Sequence, residues 1–370
     1  MTRFQVRSLG AGIPITVTEP RQMWVQEWSF QVYAKVICNN NVGWGEALPA
    51  ALNSVQSYTT MIDGFANVVE KEDSENIRRV WEKMEHVSFS GGYGIAIGAM
   101  SAIDIALWDL KARERKISLE SLLGNSQGKT RRYASLPRYH TSGDVLKVVT
   151  DLVNNGYSMI KIHQTKDDTI ETMRVIRETL GYGPSISLDM NCALRYEEAR
   201  KFVESVSKYE PLWIEEPLWP HDDYYGLSKL NRIWPMAGGE NEYSINQFHH
   251  LLDSESLTYF QPDVAKVGGI TPLLDLISLF KAYGVEVAFH NRPHNGWVST
   301  MASVAASIGT NVDAWIETPP FGIPEQFFHF NGVMDSKFIE PRGNGISLEP
   351  KEPLPKVTNS SPLDFHTSVK

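Results

Sequence analysis

Charged and polar residues close a series of short apolar runs through the middle of the chain, at a nearly constant step. Met159-Ile160-Lys161-Ile162-His163 is followed by Ile186-Ser187-Leu188-Asp189, Leu212-Trp213-Ile214-Glu215-Glu216-Pro217 and Met236-Ala237-Gly238-Gly239-Glu240-Asn241. Gln261-Pro262-Asp263, Val285-Glu286-Val287-Ala288-Phe289-His290 and Ala314-Trp315-Ile316-Glu317 complete the series. From His163 onward the intervals are 26, 26, 25, 23, 27 and 27 residues, the length of one strand, one crossover helix and two loops. In a closed parallel barrel the carboxyl ends of all strands converge on one mouth. Asp189, Glu215 and Glu240 are then expected on adjacent strands, close enough to hold one hard divalent cation. Without a cation their charges would repel and raise one another's proton affinity, and oxygen-only ligands favour magnesium or manganese over zinc.

Lys161 and His163 lie two apart on a strand and so share a face, here the barrel interior at its mouth. Desolvation and a neighbouring cation would both disfavour the ammonium, which makes Lys161 a candidate base; the competing reading is a structural ion pair with one of the carboxylates. Asp263 and His290 fall on successive units, where a carboxylate can orient an imidazole and raise its basicity. His290 is expected to approach from the side of the cavity opposite Lys161. Glu317 suits a group that shares a proton with a developing oxyanion, or a simple partner for Lys161. Asn191, Arg292, His294 and Arg138 are placed near the mouth, where they could bind hydroxyls or a carboxylate. Taken singly, a carboxylate at a strand end is a helix cap or a solvated loop residue; three in register within apolar surroundings are not. Glu216 is expected to support its neighbour from behind.

Composition sets the outer bounds. The chain has 370 residues, 42% of them hydrophobic, enough for one large barrel and a smaller domain. No apolar run approaches the roughly 20 residues of a membrane span, and Met1-Thr2-Arg3-Phe4 opens no signal-like segment. A formal net charge of −9 without any basic cluster argues against a nucleic-acid partner. Cys38 and Cys192 are too few for a disulfide framework and point to a reducing cytoplasm.

The elements that must position these residues are legible in part. Trp28 to Trp44 reads mostly as strand, broken by a hairpin-type turn at Asn39-Asn40-Asn41-Val42-Gly43. Loops are expected at Thr16–Glu27 and Ala47–Leu52. Helical periodicity dominates from Ser57 to Arg115, and Ser101 to Leu110 is apolar on more than one face, the mark of a buried helix. Gly124, Gly128 and Lys129-Thr130-Arg131-Arg132 suggest a boundary, and barrel units begin near Tyr133. Ser142 is a candidate N-cap with Asp144 in the first turn. Helices are read at Glu197–Val206, Ile245–Leu252, Thr271–Tyr283 and Val298–Ile308. Beyond Pro319 periodicity is lost. The expected architecture is α/β: an N-terminal α+β capping domain (1–125), a modified (β/α) barrel (126–320) and a C-terminal segment (321–370) packing back on the capping domain.

The series Lys161-Ile162-His163, Asp189-Met190-Asn191, Trp213-Ile214-Glu215-Glu216-Pro217, Gly239-Glu240-Asn241, Pro262-Asp263 to Gly268-Gly269, His290 and Trp315-Ile316-Glu317 resembles the enolase superfamily, mandelate racemase subgroup. Ser101 to Arg113 also looks like that family's domain-joining helix. The resemblance implies Asp189, Glu215 and Glu240 as magnesium ligands, a cation that binds a substrate carboxylate, and an enediolate formed when the α-proton leaves. It implies Asp263 with His290 as a dyad, Glu317 as hydrogen-bond donor to the enediolate, a base at Lys161 or His163, and a homo-oligomer. The subgroup's usual Lys-x-Lys is here Lys161-Ile162-His163, which disfavours racemisation or epimerisation of a 2-hydroxy acid, since that requires two competent bases. The expected reaction is β-elimination from a sugar acid to a 2-keto-3-deoxy acid. The run Lys161-Ile162-His163-Gln164-Thr165-Lys166 resembles a group that opens an anhydro ring by the same chemistry, as in 3,6-anhydro-L-galactonate cycloisomerases.

Overall fold

Eight parallel strands close on themselves in the computed structural model, which describes residues 4–12, 30–49, 52–72, 76–91, 93–125, 128–292 and 296–355. The chain begins with an antiparallel sheet of β1 (Gln5–Gly12), β2 (Phe30–Cys38) and β3 (Asn41–Ala47), in that order. The β2–β3 turn is Asn39-Asn40, with φ of 48° and 67°, the left-handed conformation that two-residue hairpins require. Helices α1 (Leu52–Val69) and α3 (Ile95–Glu114) pack on that sheet, α2 (Ile77–Ser88) packs against both of them, and α4 (Leu119–Leu123) follows. Val32, Ala34 and Val36 of β2 meet Ile62, Phe65, Val80, Met84, Ile103 and Ala106 in a core of their own.

The barrel alternates strand and helix: β4 (Thr130–Ser135), α5 (Ser142–Asn154), β5 (Met159–Ile162), α6 (Lys166–Leu180), β6 (Ser185–Asp189), α7 (Tyr196–Val206), β7 (Ile214–Glu215) and α8 (Tyr224–Asn231). It continues with β8 (Met236–Gly238), α9 (Ile245–Asp253), β9 (Tyr259–Phe260), α10 (Ile270–Tyr283), β10 (Glu286–Phe289), α11 (Trp297–Thr310) and β11 (Ala314–Thr318), which pairs with β4 to close the ring. Strands buried on both faces read as continuous apolar runs, and Met159–Ile162 and Ile186–Leu188 depart from this only at Lys161 and Ser187, both buried. Side-chain caps start the helices: Thr141 accepts from Asp144 N, Thr165 from Asp168 N, and Ser244 from Gln247 N. Tyr133, Met159, Trp213, Ala237 and Ala288 fill the barrel interior below its mouth.

Four short strands follow: β12 (Phe328–Phe330), β13 (Gly332–Met334), β14 (Phe338–Pro341) and β15 (Leu348–Pro350). β14 adds antiparallel to the start of β4, and β12 pairs with β15. Arg113 of α3 donates to Leu348 O at 3.0 Å, and Asp109 accepts from Ile346 N at 2.8 Å.

Several sequence expectations shift. Thr130 to Arg132, read as a boundary, already belong to β4, because the strand pairs with both β11 and β14 there. The cap of α5 is Thr141, not Ser142, which is the first helical residue. The segment beyond Pro319 holds strands too short to show a period. Of the loop expected at Ala47–Leu52, Ala47 ends β3 and Leu52 opens α1, while residues 50–51, like the whole of Thr16–Glu27, lie outside the described residues. No helix among the described residues is long and apolar enough to cross a membrane. Cys38 and Cys192 are both free.

Candidate active site

Register brings the acidic residues level. Asp189 ends β6 and pairs with Glu215, which ends β7 opposite Ala237 of β8; Glu240 stands two residues past β8. One oxygen from each of Asp189, Glu215 and Glu240 lies within 4.8 Å of the others. The backbone turns sharply behind the first two ligands, with φ of 44° at Asn191, 55° at Cys192 and 35° at Glu216. Such sparsely populated conformations persist where the surroundings over-determine them. Here Asn191 N donates to Asp189 Oδ1 at 2.8 Å, and Cys192 N to Glu216 O at 2.7 Å.

Each carboxylate has fixed neighbours. Glu215 Oε2 accepts from Trp213 Nε1 at 3.0 Å and Gln261 Nε2 at 2.7 Å, while its Oε1 accepts from Lys161 Nζ at 2.5 Å. Lys161, fully buried, also reaches Glu317 Oε1 at 2.9 Å and Asp189 Oδ2 at 3.2 Å. Desolvation by itself disfavours the ammonium. Burial does act that way, but Glu215, Glu317 and Asp189 outweigh it and hold the ammonium well above its ordinary range. Burial pushes Glu215 up strongly. Against the same burial, Lys161 and His163 hold Asp189 below the usual carboxylate range, and His290 and Lys266 do so for Glu240.

Two imidazoles flank this row. His163, one residue past β5, has Nδ1 2.5 Å from Leu136 O and Nε2 2.9 Å from Asp189 Oδ2. His290, one residue past β10, has Nδ1 2.7 Å from Asp263 Oδ2 and Nε2 2.9 Å from Glu240 Oε2. Asp263 is itself fixed by Ala265 N at 2.7 Å. Burial alone would lower the His290 pKa, yet Glu240, Glu317 and Asp263 raise it well above the ordinary histidine value. Glu317 stands between the two halves of the site, with Oε1 on Lys161 and Oε2 3.9 Å from His290 Nε2.

The residues expected at the rim fare differently. Arg138 donates through Nε to His163 O at 2.9 Å, and Asn191 is exposed beside Asp189. Arg292 is committed elsewhere: Nη1 donates to Phe30 O at 3.2 Å and Nη2 to Pro49 O at 2.7 Å, both in the antiparallel-sheet region. His294 lies outside the described residues. Glu216, pushed up to about 7 chiefly by burial, accepts from Asn241 Nδ2 at 2.6 Å and Cys192 Sγ at 3.1 Å. Lys266 was not singled out from the sequence; its Nζ donates to Asn241 Oδ1 at 3.2 Å and lies 3.7 Å from Glu240 Oε1. Trp213 and Gln261 were also missed as supports. Their signal was parity, since each stands two residues before a site carboxylate on the same chain segment.

The donor set fits a hard cation. Six acidic side chains (Asp189, Glu215, Glu216, Glu240, Asp263, Glu317) meet here against the ammonium groups of Lys161 and Lys266, an excess of buried negative charge that a divalent ion would offset.

Two family models match the chain: the enolase C-terminal domain-like family over residues 144–354, and the mandelate racemase / muconate lactonizing enzyme N-terminal domain over residues 14–124. The chain is 25% identical over 352 residues to a D-galactonate dehydratase of Xanthomonas campestris pv. campestris, covering 88% of this chain and 90% of the relative. Among solved structures, the 3,6-anhydro-D-galactonate cycloisomerase from Zobellia galactanivorans superposes with a TM-score of 0.81 at 21% identity, covering 94% of this chain and 97% of that one. The L-talarate dehydratase from Polaromonas sp. JS666, complexed with magnesium and L-glucarate, gives 0.80 at 22% identity, covering 95% of each chain. With both halves matched, the barrel closed and the acidic residues at its mouth, the chain belongs to the enolase superfamily and is an enzyme of its mandelate racemase / muconate lactonizing group.

Proposed function

We propose that this enzyme removes the proton next to the carboxylate of a sugar acid and expels the oxygen on the β-carbon, yielding a 2-keto-3-deoxy acid. The observation that carries this reading is the unlike support given to the two imidazoles at the ends of the ligand row. His163 hands its Nδ1 hydrogen to a neutral carbonyl, Leu136 O, and turns Nε2 to Asp189 Oδ2 at 2.9 Å; a cation held by Asp189 would draw that oxygen to itself and leave the Nε2 electron pair to the site. His290 leans on the buried carboxylate of Asp263, which favours the imidazolium. Unlike environments of this kind separate a base from an acid.

His163 Nε2 takes the α-proton, and the electrons of that C–H bond pass into the carboxylate to give an enediolate; they return to form the new carbon–carbon double bond as the β-carbon–oxygen bond breaks. His290 Nε2–H gives its proton to the departing oxygen, which leaves as water, and the enol product tautomerises to the ketone. Lys161 is held as an ammonium by its carboxylate neighbours, so it serves as a fixed positive charge for the substrate carboxylate rather than as the base. Magnesium held by Asp189, Glu215 and Glu240 would supply Lewis-acid stabilisation of the negative charge that develops as the proton departs.

A library of sugar acids incubated with magnesium, including D-galactonate, L-talarate and 3,6-anhydro-D-galactonate, tests the reading through a colour reaction for 2-keto-3-deoxy acids. Coloured product from a hydroxy acid supports elimination of water. Product from the anhydro acid alone would move the leaving group to a ring ether delivered the same proton. Epimerised acid without keto product would overturn the proposal.

A further inference from the structure

The stretch from His290 to Ser299 is tied to three different parts of the molecule within ten residues. His290 is held by Asp263. Asn291, fully buried, accepts from Ser303 Oγ of α11 at 3.0 Å. Arg292 spreads its two terminal nitrogens over Phe30 O, at the start of β2, and Pro49 O, just past β3. Then α11 begins at Trp297, preceded by Gly296, which offers no side-chain cap. Its free first-turn N–H at Ser299 is taken instead by Glu46 Oε2, 3.0 Å away on β3, and Ser299 Oγ adds a second bond at 3.3 Å. Glu46 is wholly buried, and a carboxylate at a helix N-terminus is favoured by both the free N–H groups and the helix dipole.

We propose that Arg292 and Glu46 are positioning residues for His290: together they clamp the end of β10 and the start of α11 to the antiparallel sheet, so that the proton donor is in register only when that sheet is seated on the barrel. The inference rests on the reading of His290 as the proton donor. Two residues of chain, at most ~7 Å, separate His290 from Arg292, so a shift at the guanidinium reaches the imidazole with little slack. An arginine fork spans two carbonyls where a lysine reaches one. Neither Arg292 nor Glu46 contacts an atom of Asp189, Glu215 or Glu240 among the bonds described above, so loss of the clamp leaves the cation ligands and His163 in place.

The test separates two steps in deuterium oxide, using whichever of D-galactonate, L-talarate or 3,6-anhydro-D-galactonate is turned over: exchange of the α-hydrogen, followed by NMR, and release of keto product. Arg292→Lys and Glu46→Ala should lower product release roughly 100-fold, as a misplacement of about 1 Å does. Exchange should persist and calorimetric magnesium affinity should stay unchanged. Glu46→Gln keeps an acceptor for Ser299 N–H and should restore product release. Parallel loss of exchange and product in both variants would reduce the pair to a structural role and overturn the proposal, as would full product release by Arg292→Lys. If Glu46→Ala does not fold, Arg292→Lys decides alone. His290→Asn is the reference: product release retained there sinks the assignment of His290 itself, whereas loss there with retention in Arg292→Lys sinks only the joint.

Discussion

Asp263 Oδ2 lies 2.7 Å from His290 Nδ1, so the imidazole presents Nε2 to the centre of the barrel mouth. Asp263 has its other oxygen on Ala265 N, which leaves it little freedom to move. The pair fixes both the tautomer and the charge of the ring. Asp263→Asn keeps the shape and removes the charge. Its kcat for keto product should fall roughly 100-fold with a smaller change in KM, because the lost contact matters most while the proton is being delivered. A fall confined to KM would place Asp263 in substrate binding.

The acidic row should be a measurable metal site. Each of Asp189→Asn, Glu215→Gln and Glu240→Gln removes one of three oxygens that lie within 4.8 Å of one another. Magnesium affinity by titration calorimetry should drop at least about tenfold in every case. Ligand binding to the folded state alone stabilises by about 2.7 kcal/mol at a hundredfold excess over Kd, so saturating magnesium should raise Tm and a chelator should reverse it. A Tm indifferent to magnesium would count against the site.

Much of this arrangement was written in the period of the sequence. A step of 23 to 27 residues specifies a strand and a helix, and parallel closure then decides that Asp189, Glu215 and Glu240 must meet. What the period could not supply was non-local. Arg292 stood near a strand end like the other candidates, but its guanidinium binds carbonyls more than two hundred positions away. The fate of Lys161 turned on how many carboxylates would surround it, a property of three other strands. Lys266 sits three residues after Asp263 with nothing in its neighbours to mark it. The strands β12 to β15 are three or four residues each, below the length at which alternation is visible, and their partners lie across the molecule.

The contact between β3 and α3 is backbone against backbone. A Cβ on Gly45 would lie 1.8 Å from Ala102 O, and one on Gly43 would lie 2.0 Å from Ala106 O. Neither neighbour is a side chain that can swing aside. Gly45→Ala should therefore destabilise by at least about 3 kcal/mol, the upper range for overpacking, read as a lower urea midpoint. Since Glu46 follows directly, keto-product activity should fall with it. An unchanged midpoint would mean that the helix and sheet are not in such close approach.

Asp104 gives a pH-dependent prediction far from the acidic row. On α3, it accepts from Thr271 N at 2.8 Å and Thr271 Oγ1 at 2.6 Å, joining that helix to the start of α10. Burial pushes its carboxyl up to about 7 despite the Thr271 bonds, which lower it; the unfolded chain would titrate it near 3.9. A folded-state value raised above the unfolded one means that its stabilising contribution is complete below about pH 4 and is lost as pH rises through about 7. An asparagine at this position carries no charge to desolvate and can still bond both Thr271 groups. The stability of wild type relative to Asp104→Asn should therefore decline between about pH 4 and pH 8, by up to roughly 4 kcal/mol if the whole shift is expressed. Thermal unfolding of both proteins at half-unit steps measures this difference directly, cancelling the other titrating groups. A difference that is flat over the range would show that Asp104 stays ionised in the fold, with its two Thr271 bonds offsetting its burial.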